Sequence, residues 1–100
     1  MARKQVFLAA EWSEPWKESY ANLSSDRQAG CDKAVIALIK RVDSPGLRIK
    51  PIHPEKYFFE ARINTGDRIV FRIEEETILF VEVVKHDDIS RYGSRPGKRG

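Results

Sequence analysis

The residues best suited to chemistry in this 100-residue chain are arginines on two predicted strands. Arg62 and Arg68 flank a predicted hairpin turn, and Arg72 follows on the same side of the second strand. Guanidinium groups bind phosphate oxygens through paired hydrogen bonds and stay charged at physiological pH. We call this surface the arginine face, and one hypothesis is that it binds phosphate. The alternative is a solvated face whose arginines are neutralised by Glu60 and Glu82.

His86 is a second residue that could do chemistry. It lies at the end of the last predicted strand, beside Lys85 and ahead of Asp87 and Asp88. A histidine can donate or accept a proton near neutral pH, so His86 could serve as a general acid or base, and a surface or packing role is the alternative. We expect no metal site, because three consecutive side chains on a strand alternate between faces and no second cluster completes them.

Other catalytic classes have no support in the sequence. It contains no glycine-rich phosphate loop ahead of a helix and no nucleophile elbow, which argues against nucleotide hydrolases and serine hydrolases. We therefore expect no cofactor. Cys31 is the single cysteine, which excludes an internal disulfide and favours a role as a small buried hydrophobe.

Length and composition predict one small domain. A chain of 100 residues that is 41% hydrophobic and 10% aromatic can build a single core. No apolar run is long enough to span a membrane, and the one at residues 6–10 is shorter than a signal peptide requires, so we expect a cytoplasmic protein. We assign residues 1–92 to the domain and residues 93–100 to a basic, disordered tail. The last ten residues hold four bases and no acid, so the rest of the chain is close to neutral.

Apolar periodicity predicts a first strand followed by two helices. Residues 4–10 are moderately apolar and form the predicted strand. Large side chains then recur at spacings of four, four and three, which is typical of one stripe of a short helix: Trp12, Trp16, Tyr20 and Leu23. The second predicted helix begins at Ser25, which with Gln28 has the spacing of a capping box, and it runs to Val42.

The second half of the sequence predicts antiparallel strands. The predicted strands are residues 47–50, 57–63, 68–73 and 77–84. A three-residue turn at 64–66, with Gly66 in the left-handed region, joins the second and third of them. This turn sets Arg62 opposite Arg68 and leaves an apolar face on the other side of the hairpin, formed by Phe59, Ala61, Ile69 and Phe71.

Several of these segments resemble the RelE/ParE superfamily of type II toxin–antitoxin toxins. The resemblance covers about residues 25–92 and is sharpest in Gly-Asp-Arg-Ile-Val-Phe-Arg-Ile at 66–73 and in His-Asp-Asp-Ile-Ser-Arg-Tyr at 86–92. It implies an α+β domain in which two N-terminal helices pack on one face of a small antiparallel sheet, with the other face as the working surface. RelE-like members cut mRNA in the ribosomal A site, which here implies a metal-independent endoribonuclease.

The resemblance also implies roles for individual residues. Arg68 matches the hairpin arginine, and its implied role is to stabilise the scissile phosphate while the 2′-hydroxyl attacks it. His86 matches the position of the proton donor, and Tyr92 falls where some members carry a tyrosine that stacks on or activates the substrate. The remaining basic residues expected to contact RNA are Arg48, Lys50, Arg62, Arg72 and Lys85.

Two departures from the family pattern keep other functions open. The segment ahead of the hairpin lacks the glutamate base of some ribonuclease members, and Asp87 rather than an aromatic residue follows His86. A ParE-like protein, which poisons DNA gyrase by contact and hydrolyses nothing, is therefore the alternative. A regulatory nucleic-acid-binding module without toxicity is a third.

The resemblance further implies binding partners. A cognate antitoxin is expected to be acidic where it meets the basic residues of the groove, because pairing those charges shields the groove and speeds association. The ribosome and mRNA are the other expected partners of a ribonuclease, and DNA gyrase takes their place in the alternative.

Overall fold

A computed structural model describes residues 7–41, 45–52 and 57–93. Val42, the predicted helix end, and positions 94–100 of the predicted tail lie outside this range. In chain order the elements are β1 (Ala9–Trp12), α1 (Glu14–Ala21), α2 (Ser25–Ile39), a 3-10 turn (Pro45–Leu47), β2 (Lys50–Pro51), β3 (Phe59–Arg62), β4 (Asp67–Glu74), β5 (Thr77–Lys85) and a terminal 3-10 helix (His86–Tyr92). The predicted α+β class is confirmed. No helix in the described ranges is long and apolar enough to cross a membrane.

The strands form one sheet in the order β1-β5-β4-β3-β2. Neighbouring strands are antiparallel, as predicted, except for β1, which runs parallel to β5. The predicted bounds of the first strand were wrong, because β1 begins at Ala9 and includes Trp12. Trp12 pairs with Phe80 and stacks on its ring with centroids 4.6 Å apart, and this packing outweighs the helical spacing.

Helix α2 begins as its sequence suggests, but the capping residue is one position earlier. The hydroxyl of Ser24, not that of Ser25, accepts a hydrogen bond from the N–H of Arg27 at 3.4 Å. The predicted partner, Gln28, instead donates to the main-chain oxygen of Tyr20 at 2.9 Å. Gln28 therefore ties the start of α2 to the end of α1 rather than closing a capping box.

The prediction of a strand at residues 47–50 was wrong. Pro45–Leu47 forms a 3-10 turn, Arg48 has a positive φ of 47°, and the strand is limited to Lys50–Pro51. Proline has no N–H to donate to a ladder, so Pro51 limits pairing at this sheet edge. Arg48 and Lys50 therefore do not share one side of a strand as expected.

The predicted register of the β3–β4 hairpin is confirmed, since Arg62 lies directly opposite Arg68. The turn itself differs from the prediction, because Gly66 does not adopt the left-handed conformation. The side-chain oxygen of Asn64 accepts hydrogen bonds from the N–H groups of Gly66 and Asp67 at 2.8 and 2.9 Å. An asparagine side chain thus closes the turn in place of a left-handed glycine.

The sheet separates the main core from the arginine face. On one side the buried residues of the sheet and of both helices form a single cluster that includes Trp16, Cys31, Val35, Leu38, Ala61, Ile69, Phe71, Ile78 and Phe80. Cys31 is fully buried, which confirms its expected packing role, and this burial raises the pKa of its thiol to about 12. The predicted division of the hairpin into two faces is also confirmed, because Val70 belongs to a second cluster on the opposite side.

The terminal 3-10 helix covers part of that opposite side. β5 runs to Lys85, one residue past the predicted strand, and His86 begins the helix rather than ending the strand. Ile89 and Tyr92 pack against the second cluster, whose buried members are Ile52, Val70 and Val84. The helix thereby brings Tyr92 onto the arginine face.

Candidate phosphate-binding site on the arginine face

Arg68 lies on the arginine face with its side chain held by its own hairpin. Its Nη1 donates to the main-chain oxygens of Asn64, Thr65 and Asp67 at 2.7, 3.1 and 3.1 Å. Its Nε lies 3.7 Å from Oε1 of Glu60, and the side chains of Arg68 and Glu60 are only 12% and 10% exposed. Desolvation lowers the pKa of Arg68, yet an arginine remains charged. The guanidinium group is therefore fixed before a ligand arrives, as a phosphate-stabilising group requires.

Glu60 resolves the repulsion expected between the two arginines that face each other. It lies on β3 opposite Val70, and its carboxylate is within ion-pair distance of Arg68. Arg62 turns instead toward the hairpin, where its Nη2 donates to the Thr65 hydroxyl at 3.4 Å. Glu60 thus supplies a carboxylate to Arg68, and Arg62 contacts the turn.

The structure brings His86 to the same turn as Arg68. The main-chain N–H of His86 donates to the oxygen of Gly66 at 2.9 Å, while Arg68 binds the oxygens on either side of Gly66. The His86 side chain is 57% exposed, and its Nδ1 lies 3.3 Å from a carboxylate oxygen of Asp87. A cation and a group able to transfer a proton therefore lie at one exposed turn.

Tyr92 lies at the far end of the terminal 3-10 helix. Six steps of about 2 Å each place it roughly 12 Å along the helix from His86. Its hydroxyl donates to Glu82, and its ring packs edge-on against Phe58 with centroids 5.1 Å apart. Burial and the hydrogen bond to Glu82 raise the pKa of Tyr92. The structure therefore favours a stacking role for the ring over proton transfer by the hydroxyl.

Glu82 also contacts Arg91, whose Nη2 lies 3.5 Å from Oε2. The second carboxylate expected to neutralise the arginine face therefore holds the terminal helix instead. Tyr92 and Arg91 together fasten that helix to β5.

Arg72 lies four residues from Arg68 along β4, about 13 Å away at 3.3 Å per residue. Its guanidinium carbon sits 3.7 Å from the ring centre of Tyr57, and its Nη2 lies 2.7 Å from Oε2 of Glu74. Its Nε is buried without a hydrogen bond to any of the residues described. Arg72 is thus part of a separate cation–π arrangement at the other end of the strand.

The other predicted RNA-binding residues fall in two places. Lys50 is exposed and lies opposite Glu60, next to the arginine face, and the exposed Arg48 precedes it. Lys85 lies opposite Asp67, so strand alternation places it on the side of the sheet away from Arg68. Within the described ranges no group of three His, Cys, Asp or Glu side chains could hold a metal ion.

Asp67 anchors the turn at 64–67, a role that was not predicted from the sequence. Asp67 has a side chain only 5% exposed, and it accepts two hydrogen bonds from Arg27, at 2.9 and 2.7 Å, and one from Asn64 at 3.0 Å. The hydrogen bonds from Arg27 lower the pKa of Asp67. Forty positions separate Arg27 from Asp67, and no local pattern in the sequence signals that pairing.

Replacing Asp67 with asparagine is expected to lower the free energy of unfolding by about 1–3 kcal/mol at pH 6, because charge-assisted hydrogen bonds to a buried group are lost. The pKa of Asp67 is lower in the folded state than in the unfolded state. The contribution of Asp67 to the free energy of unfolding is therefore fully present above the unfolded-state pKa of about 3.9, and it is lost as pH falls through the folded-state pKa. Urea unfolding of both proteins at pH 6 and pH 3 measures this difference.

The matched control is Asp32→Asn, because Asp32 accepts its hydrogen bond from Tyr20 at an exposed position. We expect this control to change stability by less than about 0.5 kcal/mol. A difference between wild type and Asp67→Asn that stayed constant from pH 6 to pH 3 would contradict the assignment.

Comparisons with known proteins bear on the fold. No family model and no curated protein matches the sequence. A chain of the Escherichia coli DinJ–YafQ toxin–antitoxin complex superposes with a TM-score of 0.69 at 12% identity, covering 82% of this chain and 96% of that one. The YoeB/ParE toxin from Agrobacterium tumefaciens gives a TM-score of 0.65 at 13% identity, covering 79% of this chain and 99% of that one. A metal-bound toxin from Helicobacter pylori gives a TM-score of 0.64 at 18% identity, covering 81% of this chain and 97% of that one.

These structures share the arrangement described above over nearly their whole length. The chain therefore shares its fold with these toxins, in agreement with the α+β class that the RelE/ParE resemblance implies.

Proposed function

We propose that this protein is the toxin of a type II toxin–antitoxin system and that it cuts mRNA at the ribosome. The observation that carries the proposal is the fixed position of Arg68 beside the start of the helix that bears His86. The shared fold supports the toxin role. We place the protein in the cytoplasm, where ribosomes and mRNA are found.

The chemistry needs two groups from the protein. The 2′-hydroxyl of the RNA loses its proton to water and attacks the adjacent phosphate, so that a 2′,3′-cyclic phosphate forms as the bond to the 5′-oxygen breaks, and negative charge develops on the phosphate oxygens. Arg68 stabilises that charge, and His86 gives a proton to the 5′-oxygen as it leaves. Because the substrate supplies the nucleophile, the scheme uses no metal and no cofactor.

The rest of the domain positions the RNA. We infer that α1 and α2 cover one face of the sheet, which leaves the arginine face for the substrate. Phosphates on either side of the cut would contact Lys50 and Arg62, with Arg48 and Arg72 as outer contacts and the ring of Tyr92 available for stacking. Lys85 has no role in this scheme, because it lies on the other side of the sheet. The domain comprises residues 1–92, and the bases in 93–100 add attraction that does not depend on RNA sequence.

Induced expression in bacterial cells tests the proposed function. We expect protein synthesis to stop and cleaved messages to accumulate within minutes. Intact messages together with a DNA-damage response would overturn the ribonuclease proposal and support poisoning of DNA gyrase. Normal growth at a high level of the folded protein would overturn the toxin role altogether.

One observation favours the non-catalytic alternative. Each of the three side chains that the resemblance implies to be catalytic has a carboxylate partner, and the pairs are Arg68 with Glu60, His86 with Asp87, and Tyr92 with Glu82. Carboxylates repel RNA phosphate, so a ParE-like protein that binds gyrase without hydrolysing anything is the second candidate function.

Exchanging Arg48 and Lys50 together for glutamate is expected to weaken antitoxin binding and RNA binding in parallel, by about tenfold or more each at low salt. Both residues are exposed beside the arginine face, and screening reduces such charge effects as salt rises. Calorimetric titration with the product of a short gene adjoining this one, and with a single-stranded RNA, measures both affinities.

The control exchanges Lys17 and Lys33, exposed on the two helices, for glutamate, which changes the net charge equally. Unchanged antitoxin affinity in the Arg48/Lys50 variant, with toxicity reduced, would show that the antitoxin binds elsewhere. Helix α2 would then be the expected docking surface, and inhibition would be steric.

A further inference from the structure

We propose that Arg27 of helix α2 is a positioning residue that holds Arg68 and His86 in place through Asp67. This assignment rests on the proposed function, because it concerns how the side chains of the proposed catalytic site are held in position. Arg27 lies outside the arginine face and is not proposed to contact RNA.

The first link joins a helix to the hairpin turn. Both Nε and Nη2 of Arg27 donate to the two carboxylate oxygens of Asp67, at 2.9 and 2.7 Å, so the contact is bidentate and fixes direction as well as distance. Asp67 is nearly inaccessible to solvent, and α2 itself is anchored in the main core by Cys31 and Val35. The turn is therefore held from a rigid element.

The second link sets the conformation of the turn. The Asn64 side chain donates to Asp67 at 3.0 Å through Nδ2, and its oxygen accepts the N–H groups of Gly66 and Asp67. The carboxylate of Asp67 thus receives donors from both α2 and the turn. Loss of Arg27 would leave this carboxylate with Asn64 as its single hydrogen-bond donor among the described residues.

The third link joins the turn to the proposed catalytic groups. The main-chain oxygens of Asn64, Thr65 and Asp67 all bind Nη1 of Arg68, and the oxygen of Gly66 binds the N–H of His86. Every main-chain oxygen from 64 to 67 therefore contacts one of the two groups. Displacement of the turn would move the cation and the proton donor together, and an error of about 1 Å in such a site costs roughly 100-fold in rate.

The test compares Arg27→Gln and Arg27→Lys with the wild type and with Lys17→Gln. Lysine keeps the charge and one hydrogen bond, whereas glutamine keeps no charge. The control, Lys17→Gln, removes the cation from the exposed ion pair that Lys17 forms with Glu14 on α1. Each protein is assayed at a temperature at which its unfolding curve shows it to be folded.

Two readouts are measured for each protein. NMR follows the solvent exchange of the Nε–H proton of Arg68, and cell-free translation of a reporter message follows activity. We expect Arg27→Gln to speed that proton exchange at least tenfold and to lower activity about 100-fold. Arg27→Lys should retain much of the slow proton exchange and much of the activity, and Lys17→Gln should match the wild type.

Unchanged Arg68 exchange in folded Arg27→Gln would overturn the positioning role, and so would equal losses in Arg27→Gln and Lys17→Gln. If glutamine prevents folding, Arg27→Lys decides the question, since altered exchange in it supports the role and wild-type exchange contradicts it. A wild-type protein that leaves translation intact would refute the proposed function, and the NMR comparison would still decide whether Arg27 positions Arg68.

Discussion

Substitution of Arg68 by lysine is expected to reduce mRNA cleavage by at least about 100-fold while the protein stays folded. Lysine preserves a positive charge next to Glu60, so the buried carboxylate keeps an ionic partner. It lacks the planar group that binds the turn oxygens and a phosphate at the same time. Cleavage of a defined message in cell-free translation, with urea unfolding alongside, measures both properties.

Arg62→Lys is the matched control, because Arg62 lies directly opposite Arg68 on the same face. We expect the cleavage activity of this variant to fall about tenfold or less, because Arg62 is proposed as a peripheral phosphate contact. Full activity of Arg68→Lys, or an equal loss in both variants, would contradict the role given to Arg68. Alanine is the poorer choice at this position, because it would leave Glu60 buried without its partner.

Replacement of His86 by glutamine is expected to lower the cleavage rate about 100-fold or more and to remove the dependence of that rate on pH between 5 and 8. Glutamine is similar in size and polarity but cannot transfer a proton. The side chain is mostly exposed and the anchoring hydrogen bond to Gly66 is made by the main chain, so the fold should persist. Single-turnover rates measured across this pH range provide the test.

Asp87→Asn serves as its control, because it removes the carboxylate that faces His86 and leaves the imidazole in place. This control should keep a pH-dependent rate and bind RNA somewhat more tightly, since one repulsive charge is gone. A pH profile that is the same in His86→Gln and in the wild type would assign His86 a packing or positioning role.

Local patterns in the sequence were sufficient to predict the hairpin and its two faces. A three-residue turn flanked by alternating side chains leaves one register, so the pairing of Arg62 with Arg68 and the burial of Ile69 and Phe71 follow from spacing alone. The order of two helices followed by strands likewise follows from the change in apolar period near residue 45. These features depend on neighbours in the chain.

Features that depend on distant partners could not be predicted in the same way. Trp12 fits a helical stripe by spacing, and only the packing of its ring on Phe80 places it in a strand. The pairing of Arg27 with Asp67 joins positions that no periodic pattern relates. Tyr92 reaches Glu82 because the chain turns back in a 3-10 helix after Lys85, and a strand end in the sequence does not reveal that change in direction.

The most direct test of the central claim adds the purified protein to a reconstituted translation reaction and maps the ends of a defined message by primer extension. The proposed function predicts new 5′ ends within the codon held in the ribosomal A site, appearing with the wild-type protein and strongly reduced with Arg68→Lys. Uncut message together with undiminished translation, at a protein concentration equal to that of the ribosomes, would contradict it.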